Sequence, residues 1–452
     1  MKIRKKIRNK KHNLMDNPAK FFFLAYVITI LIGGAILSLP ISSASGEFTN
    51  PLDTTFTAAS AVCVTGLVTK VTASYWSIFG KFVIIILIQL GGLGVVTAAG
   101  ALGLILNKKF SVKDRLYIAE EKNAATIHGM IKLIRYVLAT TFIIEGTGAV
   151  ILAFKFVPEY GFFKGIAYSI FHAISAFCNA GFDIIGSNSL AKYVSDSHVS
   201  FTVMGLIVLA GLGFTVYKDI LTNRKFTKFR LHTKIVLVMQ ACLIIVPALI
   251  FLIVEWTNPN TLKDLDVGGK ITASLFQSVT PRTAGFFTID QAGIKKATLL
   301  ITMFLMFIGG APAGTAGGLK VTTFFALVSA TRAGLRKQKD VTAFRRRIPK
   351  DIIEKSMTIF MVSIIWVGLA TVILTLSDGN NSLANLLYEV ISAYGTVGLT
   401  RGITETLSEI GKITIMFTMV FGKIGPLTMV YVFSNRSSSN AYREAEENIL
   451  VG

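Results

Sequence analysis

Four short turns carry the residues best suited to act on an ion. They are Val62-Cys63-Val64-Thr65-Gly66-Leu67, Phe177-Cys178-Asn179-Ala180-Gly181-Phe182, Pro281-Arg282-Thr283-Ala284-Gly285-Phe286 and Gly395-Thr396-Val397-Gly398-Leu399. What they share is a glycine among small or β-branched neighbours, and so a supply of backbone carbonyl oxygen. A ring of carbonyls can replace the hydration shell of a cation. Glycine, lacking a Cβ, reaches positive φ at little cost and lets the neighbouring carbonyls turn toward a common axis. The candidate ion-binding set is Val64, Thr65 and Gly66; Asn179, Ala180 and Gly181; Thr283, Ala284 and Gly285; Thr396, Val397 and Gly398. The expected chemistry is coordination of a bare monovalent cation.

The spacing around these glycines repeats. In the first, second and fourth turns an aromatic lies ten residues before the glycine (Phe56, Phe171, Tyr388) and a serine six before it (Ser60, Ser175, Ser392). The third breaks register, with Phe276 nine and Ser278 seven residues before Gly285. The glycines are separated by 115, 104 and 113 residues (66 to 181, 181 to 285, 285 to 398). Such a period marks one structural unit used four times. Segments 51–62, 164–177, 270–279 and 383–393 precede the turns and are too short to span a bilayer, so they are expected to be re-entrant pore helices. Non-helical backbone at membrane depth is tolerated only where it is buried in protein or lines a water-filled cavity, and four turns around one axis meet that condition together. Thr396-Val397-Gly398 also matches the opening triplet of the potassium-channel filter loop.

The elements that position these turns follow from composition. Hydrophobic residues make up 52% of the chain and charged residues 16%, which points to an integral membrane protein. Apolar stretches at 21–39, 79–106, 134–154, 199–217, 235–254, 297–330, 356–376 and 412–433 predict eight transmembrane helices. The expected fold is all-α, with four tandem membrane-pore-membrane units. A basic N-terminal tail (1–20) leads into unit one (21–106), unit two (107–230), unit three (231–340), unit four (341–434) and a C-terminal tail (435–452).

The formal net charge is +21, yet the basic residues cluster in alternate connections: Lys2–Lys11, Lys108–Arg135, Lys218–Lys234, Arg332–Lys355 and the C-terminal tail. That pattern places both termini in the cytoplasm of a cell-membrane protein, its basic flanks against anionic lipid, and argues against nucleic-acid binding. Cys63, Cys178 and Cys242 read as small core residues, the five histidines show no metal-ligand spacing, and no nucleophile motif is present. The chain is not expected to be an enzyme, and no cofactor is indicated.

With these residues in view, the chain resembles the Trk/Ktr/HKT superfamily of potassium transporters, and within it the membrane subunit of the bacterial Ktr uptake system. The resemblance runs from about Phe21 to Ser434. It implies a pseudo-fourfold axis, a homodimer with one pore per chain, potassium as the substrate ion at the four glycines, and a cytoplasmic ring of RCK-type nucleotide-binding subunits as partner. Potassium uptake driven by the ion gradient and membrane potential, with or without dependence on sodium, is the expected function. An alternating-access transporter would also show repeats and broken helices, but its repeats are usually inverted, whereas these four share one orientation.

Gly309-Gly310-Ala311-Pro312-Ala313-Gly314-Thr315-Ala316-Gly317-Gly318 interrupts a long apolar stretch with residues that end helices. It is expected to unwind into an intramembrane loop, with close packing of small residues as the alternative. The resemblance implies a gate beneath the filter, with Gly309, Gly310, Gly314, Gly317 and Gly318 as its glycines. Lys423 lies mid-span, where a charge costs roughly 2.5–3.5 kcal/mol. It either snorkels to the interface or sets a positive charge in the cavity below the filter. Glu145 and Glu389 are expected to pair with buried donors, with a contribution to the cavity's cation-attracting field as the alternative, and Asp183 to sit at the outer mouth.

Overall fold

The computed structural model describes residues 18–106, 110–121, 129–186, 188–433 and 447. Most of both expected basic tails lies outside the described residues. Each unit opens with a long helix: Pro18–Ser38, Met130–Tyr160, Leu231–Glu255 and Lys350–Ser377. At 1.5 Å per residue each covers about 30 Å or more, enough to cross a bilayer. Their outer faces expose leucine, isoleucine, valine and phenylalanine, for example Leu31, Phe142, Val246 and Ile365, while Thr141, Glu145, Gln240 and Ser363 are buried. Apolar outside and polar inside is the pattern of a protein whose solvent is lipid.

A short helix follows in each unit: Pro51–Cys63, Phe162–Cys178, Val267–Val279 and Leu383–Gly395. Three begin with side-chain caps, in which Asn50, Asp266 and Ser382 accept from the backbone N–H of Leu52, Gly269 and Asn385. These caps satisfy donors that the first turn leaves free.

In units one, two and four the second long element departs from expectation. Stretches 79–106, 199–217 and 412–433 are not continuous helices. Ile78–Leu93, Ser197–Leu212 and Glu409–Ile424 end at Gly94, Gly213 and Gly425, and the chain resumes as a helix bent by 97°, 89° and 106°. The three glycines have φ of 89°, 83° and 96°, a conformation that carries no Cβ penalty only for glycine. The bend is stabilised in unit one by Glu121, whose carboxylate accepts from the N–H of Val96 (2.9 Å) and Thr97 (2.7 Å) at the start of the resumed helix. In unit three the helix Lys296–Phe307 stops outright and resumes only at Val321–Leu335. The first halves, 12–16 residues long, reach only ~18–24 Å.

Apolar packing binds the units to one another. One cluster joins Phe56 and Ile84 of unit one to Leu386 and Met419 of unit four. A second joins Leu93, Phe177, Ile207 and Phe276 across units one to three. Cys63 and Cys178 are buried, but Cys242 is exposed on the outer face of Leu231–Glu255. The expectation that all three cysteines are core residues is corrected for Cys242.

Candidate ion-coordinating site

The short helices of units one, two and four end alike. The N–H of Val64, Asn179 and Thr396 donates to the carbonyl three residues back, at 3.1 Å in each case, and the next N–H, of Thr65, Ala180 and Val397, to the carbonyl five back at 2.8, 2.7 and 2.8 Å. This is Schellman closure, which ordinarily places glycine at the left-handed position. Here that position holds Val64 (φ 57°), Asn179 (φ 59°) and Thr396 (φ 50°), at about 1–2 kcal/mol each. Two residues on, Gly66, Gly181 and Gly398 return to positive φ, and the residue between does not. Alternating hand leaves N–H groups on one face of the turn and carbonyls on the other.

Unit three reaches the same alternation, with Thr283 at φ 75° and Gly285 at 77°, by another closure: Ala284 N–H donates to the Thr280 carbonyl at 3.0 Å. The supporting hydroxyl moves accordingly. Ser60 and Ser392 accept from the N–H of Gly66 (3.0 Å) and Gly398 (3.1 Å), and Ser175 donates to the Phe182 carbonyl (2.7 Å). In unit three Thr280, not Ser278, donates to the matching carbonyl of Phe286. Ser278 instead donates to the Ile244 carbonyl at 2.6 Å.

The four turns meet in a closed ring. A Cβ on Gly66 would stand 2.5 Å from the carbonyl oxygen of Ala180, and one on Gly181 2.7 Å from that of Ala284. On Gly285 and Gly398 it would overlap the carbonyls of Val397 and Thr65. Each glycine is therefore required by close approach of the next unit's backbone. In the adjoining layer Asn179 Nδ2 donates to Thr283 Oγ1 at 3.3 Å, and Thr396 Oγ1 faces Gly317.

The break in unit three forms a loop whose ends are pinned together: Gly309 N–H donates to Leu319 O (2.8 Å) and Leu319 N–H to Phe307 O (3.2 Å). Ala311 N–H donates to Gly211 O in unit two (2.9 Å), Phe214 N–H to Ala313 O (3.3 Å), and Gly318 N–H to Gly422 O in unit four (3.3 Å). Gly309 approaches Thr283 and Gly317 approaches Thr396, so the loop lies against two of the four glycine turns. Gly310 packs on Gly211 and Gly314 on the Ala210 carbonyl.

Lys423 Nζ donates to the Thr315 carbonyl of this loop at 2.7 Å, so its side chain turns inward rather than along the helix toward an interface. The neighbouring Gly422 packs on the Tyr394 backbone. Lys320, absent from the sequence reading, donates to the adjacent carbonyl of Ala316. Lys320, like Lys423, places an ammonium inside an apolar stretch, here 297–330, at a similar cost.

Glu145 accepts from Gln89 Nε2 (3.3 Å) and from the Cys178 thiol (3.7 Å), and Glu389 accepts from Thr400 (2.8 Å) and Thr404. Both are held by neutral donors. Asp183 is half-buried two residues past Gly181 and accepts from Gly186 N–H at 3.3 Å. Burial pushes its carboxyl up to about 6, against the pull of the Gly186 and Ile185 N–H groups.

Residues 3–444 match the TrkH family model, described as a cation transport protein. The chain is 40% identical to the potassium/sodium uptake protein NtpJ of Enterococcus hirae, covering 96% of this chain and 97% of that one. It is 41% identical to the Ktr system potassium uptake protein B of Bacillus subtilis, covering 94% of each. Among solved structures it resembles the potassium transporter TrkH from Vibrio parahaemolyticus, with a TM-score of 0.73 at 16% identity over 94% of this chain and 86% of that one. That likeness extends the agreement to the fold. The chain is a membrane transport protein, not an enzyme, and belongs to the TrkH/Ktr family of cation transport proteins.

Proposed function

We propose that this chain is the ion-conducting subunit of a potassium uptake system. Potassium passes down the axis of four membrane-pore-membrane units, comprising eight spans, four of them interrupted, and four re-entrant pore helices. The observation that carries this reading is the cyclic contact of Gly66, Gly181, Gly285 and Gly398 with the carbonyls of the next unit. Carbonyls in such a ring take the place of water around a dehydrated cation. The relatives' names, a potassium/sodium uptake protein and a potassium uptake protein, both include potassium and support the choice of ion.

The 309–318 loop, with Lys423 and Lys320 bonded to its consecutive carbonyls, serves as the gate below the filter. Its hydrogen bonds to units two and four hold it closed. A membrane potential of 100 mV supplies about 2.3 kcal/mol per charge, roughly fifty-fold accumulation, so uptake needs no nucleotide hydrolysis in this chain. Both termini are cytoplasmic, the working form is a homodimer, and an RCK-type nucleotide-binding ring regulates it from the cytoplasm. The test is growth of a potassium-uptake-deficient bacterium in low potassium, with and without sodium, carrying the parent or Gly66→Ser. Rescue by the parent supports the reading; no rescue by a parent that reaches the membrane refutes it.

A further inference from the structure

A cavity in unit three lies outside the ion pathway proposed above. It is enclosed by Ile207 and Gly211 of unit two, Gln240 and Val279 of unit three, Arg282 of the third filter turn and Gly310 of the loop. Arg282 stands three residues before Gly285, where the other units place Cys63, Cys178 and Gly395. The residue is 3% exposed. Nη2 donates to the Gly309 carbonyl at 3.3 Å, while Nε and Nη1 have no partner among the protein atoms, and neither does Gln240 Oε1, on a residue 6% exposed. Among the described residues Arg282 makes no ion pair. A buried cation with two unsatisfied donors, facing an unsatisfied acceptor, is costly unless a third group bridges them.

We propose that this cavity binds one internal water, which accepts from Arg282 and donates to Gln240. The hydrated pair then forms the tether that holds Gly309, the first residue of the loop, against the third filter turn. A water supplies an acceptor for one of the two free guanidinium donors and a donor for Gln240, whereas a halide supplies only an acceptor. Space for a water's centre amounts to about 10 Å³, close to the ~10–15 Å³ that one ordered water occupies on this measure. Arg282 is thus a positioning residue, joining filter and loop through one side chain. The inference rests on the loop acting as a gate.

The test uses full-length protein in liposomes with its regulatory partner. Gln240→Leu removes the acceptor and leaves the guanidinium unbridged, so basal potassium flux per folded protein should rise roughly tenfold, the factor given by about 1.4 kcal/mol less bias toward the closed loop. Gln240→Glu offers Arg282 a carboxylate, and flux should fall below the parent. Both variants moving flux in one direction, or neither moving it while deletion of Ala311–Gly317 raises it, overturns the tether and spares the gate. A deletion that leaves flux unchanged overturns both. Should Gln240→Leu fail to fold, the parent decides by itself: in a structure that resolves ordered solvent, a water within ~3.2 Å of both Arg282 and Gln240 is expected. Halide density, or direct Arg282–Gln240 contact, overturns the proposal.

Discussion

Unit three and its three companions solve the same problem differently. Units one, two and four close their glycine turns with a serine six residues before the glycine and kink the following helix at a single glycine. Unit three closes with Thr280, inserts Arg282, and opens the helix into a loop more than ten residues long. At the ring itself the four converge, with alternating positive φ and the same carbonyl contacts. The difference teaches that equivalence is needed only at the ring, where the ion is proposed to be held. Below that layer a single quarter can diverge and carry a device that the other three lack.

Deleting Ala311–Gly317 should have the largest effect on this contrast. Flux should rise by an order of magnitude or more in liposomes and lose most of its dependence on the partner, since it leaves unit three as open as the others; flux near zero in a deletion that still inserts would make the loop a scaffold. Gly66→Ser strikes the region where the units agree. A side chain there meets the Ala180 carbonyl, so competition assays should show potassium-over-sodium preference reduced about tenfold or more, with the protein still folded. Unchanged preference would remove Gly66 from the filter.

Lys423→Ala and Lys423→Gln should each raise flux several-fold, because they remove both a like charge and the bond to Thr315, while Lys423→Arg stays near the parent. If Lys423 only anchors the helix, expression changes and flux per folded protein does not. A smaller effect separates two hydroxyls of unit three. Thr280→Ala loses a buried bond of about 1 kcal/mol and should shift ion preference by severalfold; Ser278→Ala, bonded away from the turn, should cost stability alone. Equal selectivity changes in the two would restore Ser278 to the role its spacing suggested.

The smallest effect concerns Asp183. Its carboxyl, pushed up to about 6 by burial, is anionic above that pH and neutral below it. Current at low potassium should therefore fall by about half as the outer pH drops through 6, because the local cation concentration falls. Asp183→Asn should flatten that profile; a profile that survives the substitution belongs to another group.

The sequence carried the parts of this arrangement that rest on residue type and spacing. The four glycines, the short helices before them and the break after Phe307 were legible because each depends on one scarce property, a missing Cβ or a missing apolar run. The bends at Gly94, Gly213 and Gly425 were hidden because apolar residues continue through them, and hydropathy does not record direction. Positive φ at Val64, Thr283 and Thr396 left no trace, since β-branched residues disfavour it and only the surrounding turn imposes it. Thr280 was missed by counting serines where any hydroxyl serves, and Lys320 because it borders the loop rather than interrupting a helix.

Ring closure also bears on how the protein is made. The last contact joins Gly398 to the Thr65 carbonyl, the fourth unit to the first. A chain still emerging from the ribosome owns three quarters of the ring, however well its earlier spans have inserted. On the proposed reading of that ring as the ion path, conduction arrives in a single step with the final unit, and truncated or half-inserted chains do not dissipate the membrane potential of the cell that makes them.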